Sequence, residues 1–360
     1  MRLGRDLLRV LLLRPRSERD GAGSARRQRE WGPRAWGPRM WWPRCVGAAA
    51  FGVASCLAAC AATPAADLDS RLRAACAGFD GQVGYYVHHL VTGESAAWQA
   101  DEPFPTASLI KVPILVRIME RVELGELDYH APLVYDKERL YPGEDLLAAF
   151  EPGSKIDVAK LCLLMLTLSD NSASLWLQEL AGTGTAVNTW LAAHDFRRTR
   201  VNSRTPGREA QKELFGWGQT TPREMAELLL SVHEGRAGSA AACDEMQRAL
   251  SRTYWDGEAL SAVPPGVAVL SKQGAVSHAR SEVFLVHAPS GPYVACVMTK
   301  NQKDTSWDHD NAGFRLLREL SRLLWQHFEP ARPYTPPAGG RRFACVPKCP
   351  PRPAGCGQVG

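Results

Sequence analysis

TASLIKVPIL, Thr106 to Leu115, holds a serine and a lysine three residues apart, Ser108 and Lys111, inside an otherwise apolar run. Residues three apart share a face of a helix. A helix that follows Ser108 and runs to about Leu124 therefore stacks the amine near the hydroxyl, with Leu109, Ile110 and Val112 carrying both into apolar surroundings. The N-terminus of a helix favours negative charge on a serine oxygen. An amine with an ordinary pKa of about 10.4 is a poor base at neutral pH; burial beside other cations lowers that value and makes it a usable one. The plain alternative is a helix-capping serine and a solvated lysine. A lone S-x-x-K arises by chance about once in a chain of this length at average residue usage, so its company decides.

Two further clusters supply that company. Residues 155–168, with VAKLCLLMLTL at their centre, are apolar nearly all round and read as a buried helix; Ser169-Asp170-Asn171 follows directly. Lys272-Gln273-Gly274 closes a strand-like run that starts near Gly266. Taken singly, the first cluster caps the next helix and the second ends a strand with a charge. In this order the three resemble the S-x-x-K, S-D-N and K-[ST]-G motifs of the class A β-lactamases and their penicillin-binding relatives. Thr220-Thr221-Pro222-Arg223-Glu224-Met225 is similar to the helix start that follows that family's long active-site loop. The resemblance covers residues 68–330.

The resemblance implies an α/β (α+β) fold of the β-lactamase/transpeptidase-like kind: an antiparallel sheet built from both chain ends, with flanking helices and an inserted all-α subdomain. It implies Ser108 as nucleophile and Lys111 as its base. Ser169 passes a proton to the leaving nitrogen, Asn171 holds the substrate amide, and Lys272 supplies positive potential. The backbone N–H groups of Ser108 and Ala275 form an oxyanion hole. Arg280 either matches the family's arginine for the substrate carboxylate or is a surface arginine. No cofactor and no metal is implied.

The chain departs from the family pattern in three places. Gln273 stands where the family has Thr or Ser, which puts the fit of the substrate carboxylate in doubt. The loop RTRVNSRTPGREAQKELFGWGQTTP (198–222) lacks the family's water-activating Glu at its place; Glu209 and Glu213 are its only carboxylates and the candidate deacylation bases. Cys162 stands near one position of the family disulfide, but no Cys follows Ser108 closely, so Cys162 is expected to be a buried free thiol.

The remaining body reads coarsely. A helix is expected near 67–78. VGYYVHHL (83–90) and SAAWQ (95–99) flank Thr92-Gly93-Glu94 as a hairpin. Helices are expected over about 172–181, 184–194, 222–233 and 311–327. Strands are expected over 266–272, 281–287 and 293–299. Residues 195–219 lack periodicity and read as a long loop, a common place for function. Asp308-His309-Asp310 reads as the cap of the last helix rather than a ligand cluster.

Composition bounds the rest. The 360 residues are 45% hydrophobic, ample for a sizeable core. Residues 1–60 hold 12 Arg, no Lys and 4 acids, so the 43 basic and 38 acidic residues of the chain leave 31 and 34 beyond Cys60, a net charge of −3. The basic character belongs to the leader and does not indicate a nucleic-acid partner. WGPRAWGPRMWWPR (31–44) suits no packed element; residues 1–39 are upstream sequence or a disordered basic arm. From Met40 an arginine and a short apolar run form a secretory signal, too short to span a membrane comfortably. Leu57-Ala58-Ala59-Cys60 resembles a bacterial lipobox with Cys60 as lipidation site; a poorer one ends at Cys56, and plain cleavage remains open. Residues 61–67 then form a tether, and the Pro/Gly-rich 331–360 a disordered tail. The ten Cys are too scattered for a disulfide framework, and the three in the tail lack a nearby fourth metal ligand.

These features predict a secreted serine hydrolase, periplasmic or lipid-anchored, monomeric, acting on a small-molecule or peptide substrate. Opening of β-lactam amide bonds through Ser108, with slow deacylation, is the first expectation. A D,D-peptidase or other amidase, or a catalytically weak binding protein, are the alternatives. No G-x-S-x-G, H-E-x-x-H or P-loop motif occurs.

Overall fold

The structure is a computed structural model and describes residues 64–142 and 145–336. The leader, the signal segment with Cys60, and the tail cysteines Cys345, Cys349 and Cys356 lie outside the described residues. In chain order the elements are α1 (Pro64–Cys76), β1 (Gln82–His89), β2 (Ser95–Trp98), β3 (Phe104–Pro105), α2 (Lys111–Glu123), β4 (Pro132–Val134) and β5 (Lys155–Asp157). α3 (Val158–Leu163), α4 (Asn171–Leu180), α5 (Thr183–Ala193), β6 (Arg200–Val201), α6 (Glu209–Phe215), β7 (Gly218–Thr220), α7 (Pro222–His233) and α8 (Ala240–Leu250) follow. The chain closes with β8 (Val269–Val276), β9 (Ala279–Val286), β10 (Tyr293–Lys300) and α9 (Ala312–Phe328).

Five strands form one antiparallel sheet in the order β2-β1-β10-β9-β8. The first and last strands of the sequence thus pair, Tyr86 opposite Cys296, and the helices between them are an insertion, as the sequence predicts. Strand side chains alternate between two cores. Leu270, Val283, Leu285, Val294, Cys296 and Met298 pack with the inserted helices. Val269, Phe284, Val286, Ala295 and Val297 pack with α1 and α9. Every residue of β9 is buried, because both faces of the sheet are covered. At the centre of the first core lies α2, buried from Lys111 to Val116.

Side-chain caps set the helix starts. Asp157 accepts from the Lys160 amide at 2.8 Å, Asp170 from Ala173 at 2.8 Å and Thr221 from Glu224 at 3.1 Å. Glu224 in turn anchors the long loop: its carboxylate accepts the amides of Arg197, Arg198 and Thr199 and the Thr199 hydroxyl at 2.7–3.0 Å.

Several expectations are corrected. The apolar stretch 155–168 is not one helix: α3 gives way to a π-helical turn over Leu164–Leu168. The 195–219 loop contains the two short strands β6 and β7 and the helix α6. Lys272 does not end a strand but sits inside β8, which runs four residues further. The cap of α9 is Asn311, whose Oδ1 accepts from Gly313 and Phe314, aided by Asp304 on the Ala312 amide; Asp308-His309-Asp310 only leads into it. The expected tether is helical from Pro64. Past residue 330 the chain still packs, with Tyr334 on the second core.

Candidate active site

Ser108 lies on a 3₁₀ turn, Ala107–Ile110, and Lys111 opens α2 immediately behind it. A 3₁₀ turn repeats every three residues, so Ser108 and Lys111 eclipse more closely than on an α-helix. Ala107 adopts φ +44°, a left-handed conformation uncommon for a residue with a Cβ. Such strain concentrates at functional sites. The Lys111 side chain is fully buried. Its amine donates to the Ser169 carbonyl, to Ser169 Oγ at 3.1 Å and to Asn171 Oδ1 at 2.9 Å. Burial lowers the amine to about 7, against the pull of the Asp145 and Asp170 carboxylates. The three donated bonds are those of the ammonium; with its pKa near 7 the group can give up one of these protons at neutral pH and then take one back.

Ser169 reaches this place through local backbone geometry. The π-helical turn widens the end of α3, and Ser169 itself takes φ +64°. That reversal turns its carbonyl back onto Lys111 while Asp170 starts α4. π-Turns inside helices are frequent at functional sites. From the sheet, Lys272 Nζ donates to the same Ser169 Oγ at 3.1 Å and to the Gln273 carbonyl at 2.7 Å. Burial, and then the Lys111 charge, push the Lys272 amine well below the lysine range; Glu282 opposes them. A hydroxyl has two lone pairs and one proton. When both amines donate to Ser169 Oγ, its own O–H is left to donate outward.

Glu282 is a buried carboxyl on the far face of the sheet. It accepts from Ser271 Oγ at 2.7 Å and the Ala259 amide at 2.8 Å, and burial lifts it to about 7. Nothing in the sequence singles it out, since an isolated Glu in a strand carries no spacing signal.

Ser108, Ser169, Asn171, Gln273 and Ala275 all line one open groove of about 1430 Å³. Aromatic side chains wall it: Tyr141 meets Trp217 edge-on at 5.0 Å, and the Trp255 indole N–H donates to the Leu168 carbonyl at 2.9 Å, beside Ser169. Gly274 brings strand and nucleophile together. A Cβ there would lie 2.6 Å from the Thr106 carbonyl oxygen and 2.9 Å from the Ser108 nitrogen. Only a glycine lets β8 approach this turn, and so brings Ala275 beside Ser108.

Three other sequence-derived candidates are not brought to this centre. Arg280 is buried and boxed between Trp307 and Phe314, with ring centroids at 4.5 and 4.6 Å. Its guanidinium donates to the carbonyls of Val276, Ala279 and Ser306, so it is neither a surface arginine nor a residue lining the groove. Glu209 and Glu213 are exposed on α6, and neither lines the groove. Glu209 instead accepts the Gly207 amide at 3.1 Å. The groove's carboxylates are Asp145, Asp256 and Glu258, none from the 195–219 loop, and Glu258 pairs with Arg318 at 3.0 Å. Cys162 is a buried free thiol. Among the described residues no group of three or more His, Cys, Asp or Glu could hold a metal ion.

A profile of the "Beta-lactamase enzyme family" matches residues 67–328. The chain belongs to that family. Its fold is of the beta-lactamase kind. Among solved structures it is similar to PBP-A, at 26% identity and TM-score 0.65 over 73% of this chain and 96% of that one. A beta-lactamase from Sphaerobacter thermophilus is likewise 26% identical, with TM-score 0.66 over 74% of this chain and 98% of the other. Among curated relatives, the "Beta-lactamase regulatory protein BlaB" of Streptomyces cacaoi is 34% identical over 97 residues, 27% of this chain. The match spans only 31% of that relative's length.

The close approach at Gly274 is testable. Gly274→Ala forces the strand from the Ser108 turn, and labelling of Ser108 by a fluorescent penicillin is expected to fall at least about tenfold, as small misplacements at reacting centres do. Undiminished labelling contradicts this packing.

Proposed function

We propose that the protein opens β-lactam amide bonds by acylation at Ser108 and releases the product slowly. The observation that carries this reading is the convergence of two buried amines, Lys111 and Lys272, on Ser169 Oγ, in the groove that Ser108 also lines. Neutral Lys111 takes the Ser108 hydroxyl proton as Oγ attacks the carbonyl carbon. The amides of Ser108 and Ala275 stabilise the resulting oxyanion. The C–N bond then breaks, and the leaving nitrogen receives a proton from Ser169 Oγ, which takes back the one that Lys111 removed from Ser108. Asn171 and Gln273 hold the substrate's amide and carboxylate from the groove wall. Arg280 is given no part in this step, since it does not line the groove and its Nη1 and Nη2 groups donate to backbone carbonyls.

Release of the ester needs a base within hydrogen-bond reach of a water. No carboxylate of the 195–219 loop lines the groove, so the acyl-enzyme is expected to persist. A glutamate-substituted mutant of PBP-A is described as an acyl-enzyme complex with penicillin G, which fits covalent capture on this scaffold. The missing loop carboxylate favours a second reading, a D,D-peptidase or other amidase that acylates on a peptide and passes the acyl group on. A catalytically weak binding protein is the third, and the intact serine–lysine set weighs against it.

We further propose export to the periplasm as a monomer, with Cys60 lipidated as the sole membrane attachment, on the strength of the lipobox-like residues 57–60. Metabolic labelling with an alkynyl palmitate is expected to mark the protein and to be lost in Cys60→Ala; labelling that survives the substitution contradicts the anchor.

Intact-mass spectrometry with penicillin G tests the reaction. The expected result is a stoichiometric adduct that outlasts the mixing time by minutes and is absent in Ser108→Ala. Rapid turnover without an accumulated adduct overturns slow release, and no adduct with any β-lactam overturns the substrate class.

A further inference from the structure

We propose that Asp145 is a positioning residue for Lys111: from the loop before α3 it clamps the first turn of α4, and through Asn171 it holds the acceptors that the lysine faces. The role builds on the proposed acylation but is visible in the free protein. Asp145 lies outside all three sequence motifs, 26 residues from Asn171.

Its carboxylate is fully engaged on one helix end. Oδ1 accepts the Asn171 amide at 3.0 Å, and Oδ2 accepts the Ser172 amide at 2.7 Å and the Ser172 hydroxyl at 2.8 Å. Those amides are unpaired within α4 by helix geometry, and the helix dipole favours an anion there. Asp170 crosses the same seam in the opposite direction, from α4 to the loop: it accepts the Leu147 amide at 2.9 Å while capping Ala173 at 2.8 Å. Ser172 Oγ also accepts the Tyr141 amide at 2.9 Å. Loop and helix are thus stitched by two carboxylates of opposite origin. The residue between them, Asn171, is the one whose Oδ1 receives Lys111 at 2.9 Å.

The two carboxylates differ in setting. Asp170 is buried, and burial raises its carboxyl, whereas Asp145 borders the groove. Both hold the Lys111 amine up against desolvation. From β8 Lys272 meets the same Ser169 hydroxyl; burial and the Lys111 charge push its own amine down, and Glu282 opposes them from across the sheet. Asp145 is therefore the one charge on Lys111 that can be removed without touching a motif residue.

The test is an NMR titration of the lysine-labelled free protein, with Lys111 assigned through Lys111→Arg. In Asp145→Asn, nearly the same shape without the charge, the Lys111 midpoint is expected at lower pH than in the wild type; Asp145→Glu is expected to restore it. With penicillin G as probe, the acid limb of the acylation rate moves the same way, while the plateau falls about 10–100-fold because a carboxamide has one acceptor oxygen and cannot hold the Asn171 and Ser172 amides together. An unmoved midpoint in a folded Asp145→Asn protein overturns the proposal. Should that variant not fold, carboxylate-labelled wild type decides: the Asp145 signal is expected to show an inflection coincident with the Lys111 titration, and its absence overturns the role. If wild type takes up no penicillin, the acylation reading fails, and the free-protein titration still judges Asp145.

Discussion

Two lysine ammoniums converging on one serine hydroxyl is the constraint around which this molecule is arranged. Placing like charges together in an apolar interior costs several kcal/mol per ion, and the protein meets that cost by letting the amines lose their protons. Lys111 falls to about 7 and Lys272 well below its usual range, burial being the first cause for both. Between about 7 and the ordinary lysine range the unfolded chain binds the Lys111 proton that the native state has lost, so this group makes stability rise with pH over that window. A chain selected for stability alone would put leucine there. The retained lysine makes sense only for its chemistry.

Each neighbouring element has a place in that arrangement. α2 runs through the centre of the first core and so carries Lys111 into it. The π-helical turn ends with Ser169 in a left-handed conformation that returns both its carbonyl and its hydroxyl to the amines. Gly274 lets β8 lie against the nucleophile's turn. Glu224 ties down the loop whose Gly216 and Trp217 close the groove. That loop offers the groove no carboxylate, the observation on which the proposal of slow release rests.

Much of this was legible in the sequence, and the parts that were not share a cause. The motif residues Ser108, Lys111, Ser169, Asn171 and Lys272 declare themselves by spacing along single elements, and the hairpin β1–β2 and helices α4, α5 and α7 by local pattern. The setting of Arg280 gives no sequence signal, because it is made by Trp307 and Phe314, 27 and 34 residues away. Glu209 and Glu213 looked able to reach the site until α6 turned them to solvent. The apolar stretch 155–168 has the composition of a continuous helix, and the wider turn that ends it, with the Ser169 carbonyl accepting from Lys111, depends on a contact 58 residues away in sequence. Asp145 gives no sequence signal at all, since its worth lies in amides it meets across a loop.

The most direct measurement is the pH dependence of Ser108 acylation by penicillin G in the wild-type protein, followed by stopped-flow at fixed ionic strength. A buried, largely neutral Lys111 predicts a rate that rises through an inflection near pH 7 and then holds level. A rate that keeps climbing toward pH 10, with no inflection near neutrality, would mean that an ordinary protonated lysine stands behind Ser108, and would contradict the role assigned to the two buried amines.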